Sequence, residues 1–164
     1  MNWDAIGAIA EAVGALAILI TLIYLALQVR QAKLASADTN RLTRASGCRE
    51  VTLVMMQNPK LLESVWSAYG ADATKYLQGL AEEVSGSIEE AGQIDLYTQY
   101  YAWLHWGQFS TTMTSEDERE LRNIAGAFYN VPAIRYAWEN GLGTKAVMDT
   151  DFAAFIDSVL EDPA

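Results

Sequence analysis

Residues 5–27 read AIGAIAEAVGALAILITLIYLAL, twenty-three positions with one ionisable side chain, Glu11, and no proline. At about 1.5 Å per residue, a helix of this length crosses a hydrocarbon core of roughly 30 Å with some tilt. A core helix of a water-soluble protein is rarely this long and this apolar around its whole circumference. A cleaved signal peptide opens on basic residues and closes on a small-residue site. Here Met1-Asn2-Trp3-Asp4 carries no Lys or Arg, and Tyr24-Leu25-Ala26-Leu27 runs directly into Gln28-Val29-Arg30. The expectation is a retained membrane anchor over residues 1–30.

The flanks orient it. Trp3 and Tyr24 lie near the two ends, where amphipathic rings favour the headgroup region. Arg30, Lys33, Arg41 and Arg44 follow the span, whereas only Asp4 and the terminal amine precede it. Basic residues within about 15–20 positions of a span stay on the cytoplasmic side. The expected topology is N-terminus outside, C-terminal part cytoplasmic. Trp3, Arg30, Lys33, Arg41 and Arg44 are the expected lipid-headgroup contacts. A reducing cytoplasm suits the single cysteine, Cys48.

A second pattern lies inside the span. Gly7, Ala10, Gly14, Ala17, Thr21, Tyr24, Gln28 and Gln31 alternate steps of three and four, the a/d spacing of a left-handed coiled coil. The first five are small, and small residues let helices approach closely in lipid. With Glu11 on its flank, this stripe, from Gly7 to Gln28, is read as a helix-packing interface. Alanine is also common off the stripe, at Ala8, Ala12 and Ala15, which blunts the contrast. Glu11 marks either a proton or ion path or a hydrogen bond within a helix contact. Without a second intramembrane partner in the sequence, the contact is the preferred reading.

The remaining chain reads as all-α. No stretch shows strand alternation bounded by hairpin turns. A juxtamembrane helix with a basic collar is expected over 31–57, weakest at Gly47, and an acidic helical bundle over 58–164. Asn58-Pro59 breaks the first helix and opens the next. Gly70, Ser85-Gly86-Ser87, Asn130-Val131-Pro132 and Gly141 mark later boundaries. Ser115 with Glu118 fits a capping box, and Leu121, Ile124, Ala125 and Phe128 give an amphipathic stripe. Phe152, Phe155, Ile156 and Val159 give another. Residues 88–113 carry Tyr97, Tyr100, Tyr101, Trp103, Trp106 and Phe109, a central helix expected to bury much aromatic area.

Charge is segregated. Residues 28–49 hold five bases and one acid, and residues 51–164 hold six bases and 17 acids, within a chain of net charge −10. That balance argues against nucleic-acid binding. It fits a collar drawn to anionic headgroups and a bundle that stays in water. One cysteine excludes an internal disulfide, and one histidine excludes a multi-histidine metal site. His105, alone among aromatics, is read as a hydrogen-bonded packing residue. No phosphate-binding loop, nucleophile elbow or zinc-protease motif occurs. No catalytic, cofactor-binding or metal residue is assigned, and no enzyme activity is expected.

The stretch Trp3-Asp4-Ala5-Ile6-Gly7-Ala8-Ile9-Ala10-Glu11, with Gly14-Ala15, Leu22-Ile23-Tyr24-Leu25-Ala26 and Gln28-Val29-Arg30-Gln31, resembles a family of small uncharacterised bacterial proteins. Asn58-Pro59 and residues 131–138 resemble it loosely, and residues 94–112 depart from it. The resemblance implies a bacterial inner-membrane protein with one N-terminal transmembrane helix, a helical cytoplasmic region and no established activity. It also implies that the span's pattern is a family feature. Three functions remain open: an accessory subunit docked on a larger membrane complex, a homo-oligomer self-assembled through the same seam, a pore being one form of it, and a cytoplasmic small-ligand sensor. Membrane lipids, and other subunits or further copies, are the expected partners.

Overall fold

The computed structural model describes residues 2–112 and 114–161, except the side chains of Ala5 and Ala10. Its elements are α1 (Trp3–Met56), α2 (Pro59–Tyr69), α3 (Ala71–Val84), α4 (Ile88–Thr111), α5 (Ser115–Tyr129), α6 (Pro132–Asn140), a 3₁₀ turn (Lys145–Val147) and α7 (Thr150–Glu161). No strand occurs among the described residues, as the sequence predicts. The chain divides into two compact units, residues 1–40 and residues 41–164.

The first unit is the N-terminal part of α1. Eleven aliphatic side chains between Ile6 and Leu27 are each 47–64% exposed. The helix is long and apolar enough to cross a membrane by length and composition. It passes Gly47, the expected weak point, without interruption. Leaving these side chains half uncovered in water forgoes on the order of 10 kcal/mol of hydrophobic stabilisation.

The second unit gathers the end of α1 with α2–α7. Ala45 is buried in its main core beside Trp106, Tyr129, Trp138, Phe152 and Ile156. A smaller core joins Tyr76, Leu77, Leu80, Ala91 and Ala137. The central helix is α4, which packs on α2, α3, α5 and α6.

Local chemistry sets the helix ends. Asn58 Oδ1 accepts the Leu61 amide at 3.2 Å, and Pro59 begins α2 where no amide donor is needed. Gly70 separates α2 from α3 at φ +78°, ψ −152°, a region open essentially to glycine alone. Ser87 and Glu90 form a capping box at the start of α4. At α5 the box is Thr114 with Asp117, one residue earlier than the Ser115–Glu118 pair expected from sequence. Both pairs have the required spacing, but the Thr114 backbone is extended, and its hydroxyl accepts the Asp117 amide at 3.1 Å.

Two expected stripes are adjusted. In α5 the buried residues are Leu121, Ala125 and Tyr129, while Ile124 is exposed. In α4 only Trp106 of the six aromatics is fully buried; Tyr97 is exposed and the others are half-buried. The buried face is instead Ala91, Asp95, Thr98, Ala102 and His105, spaced by three and four. Small residues there admit the neighbouring helices closely, and the tyrosines frame the contact. The α7 stripe of Phe152, Phe155, Ile156 and Val159 is buried as read.

Candidate functional site

The residues of the predicted helix-packing stripe lie along the first unit. Gly7, Glu11, Gly14, Ala17, Thr21, Tyr24 and Gln28 are all exposed, and the Ala10 side chain lies outside the described set. A Cβ added at Gly7 or Gly14 would meet nothing within 4 Å. Within the stripe the Thr21 hydroxyl donates to the Ala17 carbonyl at 2.8 Å, and the Gln28 amide donates to the Tyr24 hydroxyl at 2.8 Å. Both bonds satisfy polar groups inside one helix, which lowers the cost of placing them in an apolar medium. Of the expected headgroup contacts, Trp3, Arg30 and Lys33 are exposed on the first unit. Arg41 and Arg44 are exposed on the second.

The second unit holds a polar node that the sequence reading missed. Asp95 is fully buried on α4. Its Oδ1 accepts the Tyr76 hydroxyl of α3 at 2.5 Å, and its Oδ2 accepts the Gln99 amide at 2.6 Å. Burial pushes the Asp95 carboxyl up to about 6, although the two hydrogen bonds favour its ionised form. The Tyr76 hydroxyl is raised well above the usual phenol range, first by burial and then by the facing carboxylate. Tyr76 stacks on Tyr136 of α6 at 6.1 Å and lies 6.0 Å from the Trp66 ring of α2.

His105 sits ten residues further along the same helix, 2% exposed, ringed by Tyr101, Phe128 and Tyr129 at 5.4–5.8 Å between centroids. It is a packing residue, as read. Its Nδ1 has no hydrogen-bond partner among the described residues, however, so the expected bond is absent at that atom. Burial lowers its pKa to about 4, which keeps the ring neutral at physiological pH. The Tyr129 hydroxyl is likewise buried without a partner.

A cleft of about 400 Å³ opens where α2, α3 and α4 meet, with Leu62, Trp66, Leu77, Ile88 and Gly92 among its walls and Lys60, Glu63 and Glu89 also lining it. Its lining includes neither histidine nor cysteine. No group of three or more His, Cys, Asp or Glu able to hold a metal occurs among the described residues. Two further carboxylates serve the fold. Asp149 accepts the Trp106 indole N–H and caps α7 through the Phe152 amide at 2.9 Å. Asp157 pairs with Lys145 at 2.7 Å and accepts the Trp138 indole N–H at 3.3 Å.

A signal for the node was present in the sequence. Asp95 stands four residues from Ala91, three from Thr98 and seven from Ala102, a helical stripe of small residues with one carboxylate in it. The aromatic load of the same segment drew the reading to the other faces. Comparison with protein families, with curated proteins and with solved structures returns no match.

Proposed function

We propose that the protein is a non-enzymatic, single-span membrane protein, an accessory subunit that docks on a larger membrane complex through the Gly7–Gln28 stripe. Residues 5–27 cross the bilayer with the N-terminus outside, and the acidic bundle lies in the cytoplasm of a bacterial cell. The observation that carries this reading is the bare apolar circumference between Ile6 and Leu27. The same chain buries Trp138, Phe152 and Ile156 completely, so its sequence is able to make a core where water demands one. An apolar surface left uncovered on every side is suited to a solvent that is itself apolar.

Docking follows from the stripe's composition. In lipid, close backbone approach replaces hydrophobic contact as the source of helix packing, and Gly7 and Gly14 leave open space for a partner backbone. Glu11, beside Gly7, supplies a hydrogen bond across that contact. The basic residues after the span hold the cytoplasmic end against anionic headgroups.

Membrane fractionation followed by native mass measurement tests the proposal. The expected result is resistance to extraction by alkaline carbonate, solubility in mild detergent, and co-purification with other subunits. Recovery from the detergent-free soluble fraction overturns the membrane reading. A detergent complex weighing a whole multiple of 18.1 kDa overturns the accessory role in favour of self-assembly.

A further inference from the structure

We infer that Asp95 and the turn at residues 141–144 form a proton-operated latch, closed over the protonated carboxyl and more readily opened when the carboxylate is ionised. The geometry is that of a sealed acid without a counter-charge. The groups facing Asp95 are the Tyr76 hydroxyl from α3 and the Gln99 amide from α4. Behind Tyr76 stand Tyr136 of α6 and Trp66 of α2. In the turn, the Thr144 hydroxyl is engaged with the Ala137 carbonyl at 2.9 Å. None of these groups is a cation. Two neutral donors hold an ionised carboxylate in place but leave its charge uncompensated in a medium of low dielectric.

The turn is the lid. A Cβ at Gly143 would lie 2.9 Å from the Gln99 amide, and a Cβ at Gly141 would lie 3.2 Å from the Tyr76 hydroxyl. The backbone of the turn therefore rests on the two donors that hold Asp95. Helices α3 and α4 cannot separate without exposing Leu77, Leu80 and Ala91, whereas lifting the turn uncovers only Gly141 and Thr144 of its own buried residues, Leu142 being already 41% exposed. Hydrating the carboxylate through the turn is thus the route of least cost. The turn leads to Lys145, which pairs with Asp157 of α7, and to Asp149, which caps α7, so its opening loosens the approach to the last helix.

Burial raises the closed-state Asp95 pKa to about 6, and hydration on opening returns it toward the ordinary carboxylate value. A proton then binds the closed form more tightly than the open one, and acidification closes the latch.

Hydrogen exchange of the full-length protein in detergent micelles tests this, read by mass spectrometry on peptides covering residues 141–149 and corrected for intrinsic exchange rates. In the wild type, protection is expected to be level from pH 8 to 7 and to rise about tenfold between pH 7 and pH 5, about fivefold of it below pH 6. Asp95→Asn removes the titration and makes protection of this segment level throughout. Tyr76→Phe removes a donor that favours the ionised form, so the rise begins at higher pH. A level wild-type profile, or a Tyr76→Phe profile with an unmoved midpoint, overturns the inference. So does a slope retained in Asp95→Asn. Should Asp95→Asn not fold, the wild type and Tyr76→Phe decide the matter between them. The outcome is independent of whether α1 spans a bilayer.

Discussion

Asp95 and His105 oppose one another in their effect on stability, and the opposition is measurable. The folded Asp95 carboxyl has its pKa raised to about 6 from an ordinary value of 3.8. Between those values the folded protein binds a proton that the unfolded chain does not, so stability increases as pH falls. The folded His105 ring has its pKa lowered to about 4 from 6.5. Between those values the unfolded chain binds the extra proton, so stability decreases as pH falls. At about 1.4 kcal/mol per pKa unit, each effect amounts to about 3 kcal/mol over its full window. From pH 7 to pH 5, Asp95 adds about 1.4 kcal/mol and His105 removes about 2 kcal/mol, which leaves the wild type within about 1 kcal/mol of level from this pair. Asp95→Asn unmasks the histidine and makes the protein lose about 1.4 kcal/mol more than wild type over that interval. His105→Phe unmasks the acid, and the sign of the difference reverses. The assay is urea unfolding of the full-length protein in mild detergent, followed by near-ultraviolet circular dichroism, which reads the packed aromatics of the bundle. Taking each variant relative to wild type removes the background from the other carboxylates. Superimposable pH profiles for the three proteins refute the reasoning.

Other consequences are local. Asp149→Ala removes the α7 cap and leaves the Trp106 indole N–H unpaired; a loss of about 2–4 kcal/mol is expected by chemical denaturation. Gly70→Ala forces a side chain into backbone reserved for glycine, and thermal unfolding should report about 1–3 kcal/mol of destabilisation with an unchanged helical spectrum. On the first unit, Gly7→Leu with Gly14→Leu blocks close approach in lipid. Co-purification of other subunits should fall several-fold while bundle stability stays within about 0.5 kcal/mol. Glu11→Ala should weaken the same association in detergent, and an unchanged complex would remove Glu11 from the contact.

What the sequence disclosed depended on how many residues shared one signal. The helical class, the break at Asn58-Pro59 and the buried stripe of α7 each rest on several residues pointing the same way, and the structure shows all three. The start of α5 rests on one residue of difference between two capping pairs of equal spacing, and only the extended backbone at Thr114 selects between them. The stripe in α5 misled for a related reason. Ile124 is as apolar as Leu121, but Ala125 with Tyr129 completes the buried face, and Ile124 is 44% exposed. Gly47, the weakest point of the helix expected there, does not end it: its helix cost of about 1 kcal/mol is small beside the neighbours that carry α1 through it.

The buried node was hidden by a preference for bulk. Large aromatics attract attention because each removes much area from water, yet a central helix touched by α2, α3, α5 and α6 has little room for them on its inner face. That face is lined by the fully buried Ala91 and Ala102 and by Gly107, where an added Cβ would lie 3.6 Å from Leu42, and two of its three polar side chains are held by a hydrogen bond. Thr98 finds one in the Ile94 carbonyl at 2.8 Å, and Asp95 finds two. His105 Nδ1 finds none and is held neutral by burial. Between about pH 4 and pH 6, set by those two shifts, Asp95 is protonated and His105 is neutral, so the inner face of α4 carries no charge. Above that range one negative charge appears beneath the 141–144 turn. Apolar residues of similar size would fill both positions at no electrostatic cost. In the proposed latch, a carboxylate beneath a turn that carries Gly141 and Gly143 ties the packing of the bundle to proton concentration near pH 6.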